Sequence, residues 1–183
     1  AFSSGVMIHK PFFLAVLFLF LPGMTAGADP FVLNPNGGWC WFQDERALVF
    51  DNKLAAASIT REGDVQITTW NFGTGAAHIE TLRPDFVGDD HNVASLLLRG
   101  DGKLMAFYAK HGDEAKMHYR VTSGPRDTSA WEPEASFDAG VTDRFTYSNP
   151  FQLSAEGGRI YIFWRGIHWN PTWSASDDNG RTW

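Results

Sequence analysis

The sequence predicts an all-β protein of the β-propeller class, with this chain covering about three blades. Past residue 44 there is no helical periodicity, and short strand-like runs alternate with Gly/Asp/Asn turns instead. The runs recur. Asn52-Lys53-Leu54-Ala55 lines up with Gly102-Lys103-Leu104-Met105, 50 positions later, and Gly102-Lys103-Leu104-Met105-Ala106-Phe107 with Gly158-Arg159-Ile160-Tyr161-Ile162-Phe163, 56 positions later. Four short strands in a period of about 50 residues is the pattern of a propeller blade. The chain closes on SDDNGRTW, a compact turn motif of the form Ser-x-Asp-x-Gly-x-Thr-Trp.

At the N-terminus, Met7-Ile8-His9-Lys10 precedes an apolar run from Phe12 to Leu21 and the small-residue stretch Ala26-Gly27-Ala28. That is the layout of a secretory signal peptide, and the run is shorter than the roughly 20 residues a bilayer span needs. An uncleaved anchor is the alternative. Residues 1–28 are therefore expected to be upstream residues and signal peptide, and the mature protein is expected to be exported, with no membrane association after cleavage. Residues 29–183 are expected to form the N-terminal part of a propeller truncated at its C-terminus. Three blades leave an open sheet edge, so this stretch is not expected to fold alone.

Composition fits a globular protein rich in aromatics and turns, with 44% hydrophobic and 20% charged residues, 8 Trp and 15 Phe. A net charge of -6 without any Lys/Arg-rich run argues against a nucleic-acid partner, yet leaves room for a local basic pocket. Cys40, in NGGWCWFQDE, is the single cysteine, so the chain has no internal disulfide. A buried thiol between two tryptophans is the favoured reading. A metal or catalytic role and a partner beyond this chain are the alternatives.

The expected strands follow in order as RALVF, KLAAASIT, DVQITTW, NVASLLLR, KLMAFYAK, KMHYRV, PFQLS, RIYIFWRG and PTWSAS. The closing motif, through Ser176, Asp178, Gly180, Thr182 and Trp183, resembles the Asp-box or BNR repeat of sialidase-like propellers. Its role there is structural: serine and aspartate bond backbone groups in a tight turn, and the tryptophan packs beneath.

Chemistry gathers at the open ends of two hairpins. In DDHNVASLLLRGDGKLMAFYAKHG the reversal falls at Arg99-Gly100-Asp101-Gly102-Lys103. Centred on Asp101, it makes cross-strand partners sum to 202, which sets His91 opposite His111. The next hairpin, centred at Gly157 by the repeat, sets Asn149 opposite Arg165 with Tyr147 on the same face. His, His, Tyr and Arg without a carboxylate pair suit elimination from a uronic acid better than glycoside hydrolysis. A histidine can take the proton beside the sugar carboxylate, and arginine holds that carboxylate. A tyrosine whose pKa the arginine pulls down can exchange a proton. Each residue also has an ordinary structural reading: a hydrogen-bonded strand-end histidine, an arginine paired with an acid or stacked on Trp164 or Trp169, a tyrosine packed in a blade. Asp89 and Asp90 orient the His91 ring, raise its pKa or only cap a turn. WRGIHWNPTW is either a sugar-stacking platform or buried blade aromatics.

The segments GGWCWFQDERALV, DDHNVASLLLRGDGKLMAFYAKHG and YSNPFQL…RIYIFWRG resemble the BNR repeat-containing family that includes propeller ulvan lyases and related rhamnose–glucuronate lyases. The resemblance implies a seven-bladed propeller that cleaves a uronate linkage of an anionic polysaccharide by β-elimination. It implies catalytic roles for His91 and Tyr147 as base and acid, in an order left open, with His111 and Arg165 assisting and neutralising the carboxylate. Asn92, Asn149 and Trp169 are candidate substrate-binding residues. No cofactor is expected, and no metal site, since no residues have clear ligand spacing. A sialidase-like glycoside hydrolase and a non-catalytic sugar-binding propeller are the rival readings.

Overall fold

The computed structural model describes residues 30–138, 140 and 142–183, so the expected signal peptide lies outside the described residues. Three antiparallel sheets follow one another along the chain. In the first, β3 (Lys53–Thr60), β4 (Val65–Asn71) and β5 (Ala77–Arg83) run side by side. β1 (Gly37–Gly38) and β2 (Ala47–Phe50) lie end to end along the free edge of β3. The second sheet is β6 (Ser95–Leu98), β7 (Leu104–Tyr108), β8 (Met117–Val121) and β9 (Ala135–Phe137); the third is β10 (Thr146–Leu153), β11 (Arg159–Arg165) and β12 (Pro171–Ser176). Each sheet is a blade of a β-propeller. No helix among the described residues is long and apolar enough to cross a membrane.

The stacking of the sheets follows from the two-residue period of a strand. All five residues of β7 are buried, because the middle blade is covered on both faces. Leu104, Ala106 and Tyr108 join a core shared with the first sheet, through Ala55, Ala57, Ile59 and Ile67. Met105 and Phe107 join a second core with Ile160, Ile162 and Trp164 of the third. A strand buried on both faces reads as one continuous apolar run, as LMAFY does. β2, β6 and β10 are neighbours and are cross-linked at their ends. The Leu96 N–H donates to the Glu45 carbonyl at 2.5 Å, and the Ser95 and Ser148 hydroxyls share a hydrogen bond of 2.7 Å.

The closing turn behaves as the motif requires. Asp178 Oδ1 accepts the N–H groups of Arg181 and Thr182 at 3.0 and 2.9 Å, and Ser176 Oγ accepts that of Gly180 at 2.8 Å. The Thr182 and Ser176 hydrogen bonds hold the Asp178 carboxyl well below its usual range. Trp183 stacks on Phe137 at 4.9 Å and meets Phe107 and Tyr119 edge-on, so the motif ties the third blade to the second.

All nine expected strands are present. The first hairpin has the expected register, with Ser95 opposite Phe107 and Leu98 opposite Leu104. The second differs. Its turn is a single 3-10 turn, Ser154–Glu156, ending on a left-handed Gly157, and it sets Asn149 opposite Phe163 rather than Arg165. Arg165 pairs with Thr146, because a bulge at Tyr147 and Ser148 takes up the difference.

Candidate active site

The histidines lie beyond the ladder that the hairpin arithmetic extended to them. His91 sits in a 3-10 turn, Asp90–Asn92, ahead of β6, and His111 follows the end of β7. The turn exists because Asp89 caps it, its Oδ1 accepting the His91 N–H at 3.0 Å. Asn92, 1% exposed, then bridges the two segments: its Oδ1 accepts the His111 N–H at 2.7 Å and its amide donates to the Val87 carbonyl at 3.0 Å. Gln43, also 1% exposed, donates to the His91 carbonyl at 2.5 Å. The two rings consequently stack, with centroids 4.2 Å apart.

Asp89 unites them. Its Oδ1 lies 2.6 Å from His91 Nδ1 and its Oδ2 lies 3.0 Å from His111 Nδ1. Burial works against the charged carboxylate, but the His91 N–H and the two imidazoles outweigh it and hold the Asp89 pKa at about 2. An ionised carboxylate only accepts, so each imidazole must donate its Nδ1 proton and direct Nε2 away from Asp89. His91 Nδ1 also lies 3.0 Å from Asp90 Oδ1. The Asp89, His91 and His111 ligand atoms are within 4.8 Å of one another, close enough to hold one cation, although here both Nδ1 atoms are bonded to Asp89.

Tyr147 completes the group from β10. As the bulged residue it has φ 64°, a conformation uncommon for a bulky side chain, and such outliers concentrate at functional positions. Its ring lies 5.6 Å from that of His91, 6.0 Å from His111 and 4.9 Å from Phe42. The Arg165 guanidinium sits between two rings, 4.7 Å from Tyr147 and 4.3 Å from Trp169, and pairs with no carboxylate among the described residues. The expected lowering of the Tyr147 pKa is not found. Burial raises it, Arg165 only partly offsets this, and Cys40 and Asp89 add to the rise.

A model of the BNR repeat-containing family matches residues 40–182. The chain belongs to this family. Two solved structures of a polysaccharide lyase, the PL25 ulvan lyase, share the fold, one of them bound to -[GlcA(1-4)Rha3S]-. In each case the TM-score is 0.61 at 22% sequence identity, over 80% of this chain and 37% of that one. This chain therefore spans 37% of the length of those lyases. No curated protein matches it.

In this family member the other expected residues have distinct places. Trp169 is 70% exposed beside Arg165, open to a ligand. Asn149 is committed to the protein: its Oδ1 accepts the Asp44 N–H at 3.0 Å and its amide donates to the Tyr147 carbonyl at 2.8 Å. It thereby fixes the bulge and the segment that carries Phe42. Sequence reading missed Phe42, Gln43 and the shared role of Asp89. The aromatic and acidic run WCWFQDE was the one visible signal of Phe42 and Gln43, and the DDH run that of Asp89. Cys40 is buried with its thiol free.

The loop bearing Asp89 leaves no room for a side chain at Gly88. A Cβ there would lie 2.1 Å from the Arg61 carbonyl oxygen. Gly88→Ala is expected to lower stability by about 1–3 kcal/mol, read from the urea midpoint, because backbone must move to relieve the clash.

Proposed function

We propose that the chain is the His/Tyr/Arg-bearing part of an exported polysaccharide lyase that cleaves a uronate-containing polymer by β-elimination. One observation carries this reading: two imidazoles share one carboxylate through their Nδ1 atoms, beside a phenol and a guanidinium that has no acidic partner. His91 Nε2 takes the proton at C5 of the uronate. The electron pair forms the C4–C5 double bond, the C4–O bond breaks, and the Tyr147 hydroxyl protonates the departing oxygen. Arg165, and His111 when protonated, stabilise the carboxylate as charge builds on it. A phenol whose pKa burial raises keeps its proton and fits the donor, and in this reading His91 is the base. Trp169 offers a face for a sugar ring. Asn92 and Asn149 position catalytic groups in this scheme and do not touch sugar. The bound oligosaccharide of the structurally similar lyase, -[GlcA(1-4)Rha3S]-, supports a sulfated glucuronate polymer as the substrate class.

The test follows absorbance at about 235 nm, where the unsaturated product of an elimination absorbs, with the full-length protein acting on glucuronate polymers. The parent is expected to give a rise that His91→Ala loses. New reducing ends without absorbance overturn the reading in favour of a hydrolase. Binding with no change in polymer length overturns it in favour of a non-catalytic propeller.

A further inference from the structure

We propose that Arg144 forms a second anion subsite beside the elimination centre, receiving a charged substituent of the sugar next to the reacting uronate. The inference rests on the reading of His91, Tyr147 and Arg165 given above. A hollow of about 420 Å³ opens on the His111 side, lined by His111, Asp143, Arg144, Arg165 and Trp169 among others. That volume is in the range of small-molecule sites. Its two guanidiniums have different surroundings. Arg165 is fixed between the rings of Tyr147 and Trp169, so its charge serves the sugar held at Tyr147. Arg144 is exposed and makes no hydrogen bond or ion pair among the described residues.

The surroundings keep Arg144 available. Asp143, the acid in the lining, lies 3.8 Å from His168 Nδ1. Gly112 has φ 76°, and a Cβ there would touch Arg144 Cδ at 3.4 Å and its Nη1 at 3.7 Å in ordinary van der Waals contact, so the Arg144 side chain lies along the Gly112 backbone beside His111. Two arginines against one acid make the hollow locally positive in a chain of net charge -6. A guanidinium fork matches an array of anionic oxygens bidentately. The uronate carboxylate is already met by Arg165, so the group at Arg144 is a second anion, either a sulfate ester or a second carboxylate.

The experiment compares the full-length protein with Arg144→Gln and Arg165→Gln on three polymers: a sulfated glucuronate polymer, the same polymer after chemical desulfation, and an unsulfated polymer of consecutive uronates. Arg144→Gln is expected to lower the ratio of kcat/KM between the sulfated and desulfated polymers by about tenfold, mainly through KM, as suits the loss of one charge-assisted contact. Arg165→Gln is expected to lower both alike. A loss with Arg144→Gln that appears only on the consecutive uronates assigns the subsite to a second carboxylate and upholds it. Equal losses on all three polymers, or none, overturn it. If the parent eliminates nothing, the lyase reading fails by itself. The subsite then stands or falls on calorimetric binding of the sulfated oligosaccharide, which Arg144→Gln must weaken about tenfold.

Discussion

Asparagine in place of Asp89 is expected to cut turnover by about 10²–10⁴-fold while leaving the protein folded. Asparagine caps a turn nearly as well as aspartate, so the 3-10 turn at Asp90–Asn92 should persist. What changes is the donor and acceptor count. The carboxylate accepts one Nδ1 proton on each oxygen. The retained cap keeps the amide oxygen toward His91 and turns the amide nitrogen toward His111, so His91 loses the negative charge that supports it as it takes up a proton, and His111 must present an unprotonated Nδ1. The proton of that ring then sits on Nε2, and its lone pair no longer faces the substrate. Loss of elimination in a protein that stays folded, with its melting temperature at neutral pH lowered only by what the ionised Asp89 contributes, is the expected result. Full activity in Asp89→Asn would mean that the tautomers are set elsewhere.

The same carboxylate gives a pH signature. Its pKa falls from 3.8 unfolded to about 2 folded, so the stabilisation is complete above about pH 4 and is lost as pH falls through about 2. The melting temperature of the parent should decline over that window, and Asp89→Asn should remove that part of the decline. Any loss of activity between pH 5 and 7 reports another group, because Asp89 stays ionised there.

How much of this was legible follows from where each residue sits. The nine strands read from sequence carry apolar residues at strand spacing. The three missed ones do not: β1 is Gly37-Gly38, β9 is only Ala135–Phe137, and β5, AHIETLR, is largely exposed along an edge. The first hairpin gave its register because Leu98 and Leu104 close a loop centred on Asp101, as the Gly/Asp cluster implies. The second slipped because the repeat aligned Gly158 with Gly102, whereas the turn centres on Glu156. Tyr147 faces the histidines through its bulge and not through the ladder. Phe42, Gln43 and the Asn149–Asp44 hydrogen bond depend on a loop that meets the third blade 105 residues later, and no local pattern encodes that approach.

Tyr147→Phe is expected to lower kcat by about 10²–10⁴-fold with little change in KM. The substitution isolates the hydroxyl. A phenylalanine ring keeps the cation–π contact with Arg165 and the packing against Phe42, so the bulge and the carboxylate site should survive. The direction of the pKa shift agrees with the donor role to be tested. Because burial, Asp89 and Cys40 together exceed the effect of Arg165, the phenol keeps its proton to a higher pH than a free tyrosine does. The parent should therefore remain active across neutral and mildly alkaline pH, losing activity only as pH rises through that raised value. A proton donor is dispensable when the leaving oxygen departs readily as an anion. A uronate bearing an aryl ether at O4, so that a phenoxide departs from C4, should restore most of the lost rate in Tyr147→Phe and none in His91→Ala. Rescue of His91→Ala instead would exchange the two roles. Rescue of neither would mean that Tyr147, like His91, is needed for proton abstraction, since a missing base cannot be replaced by a better leaving group.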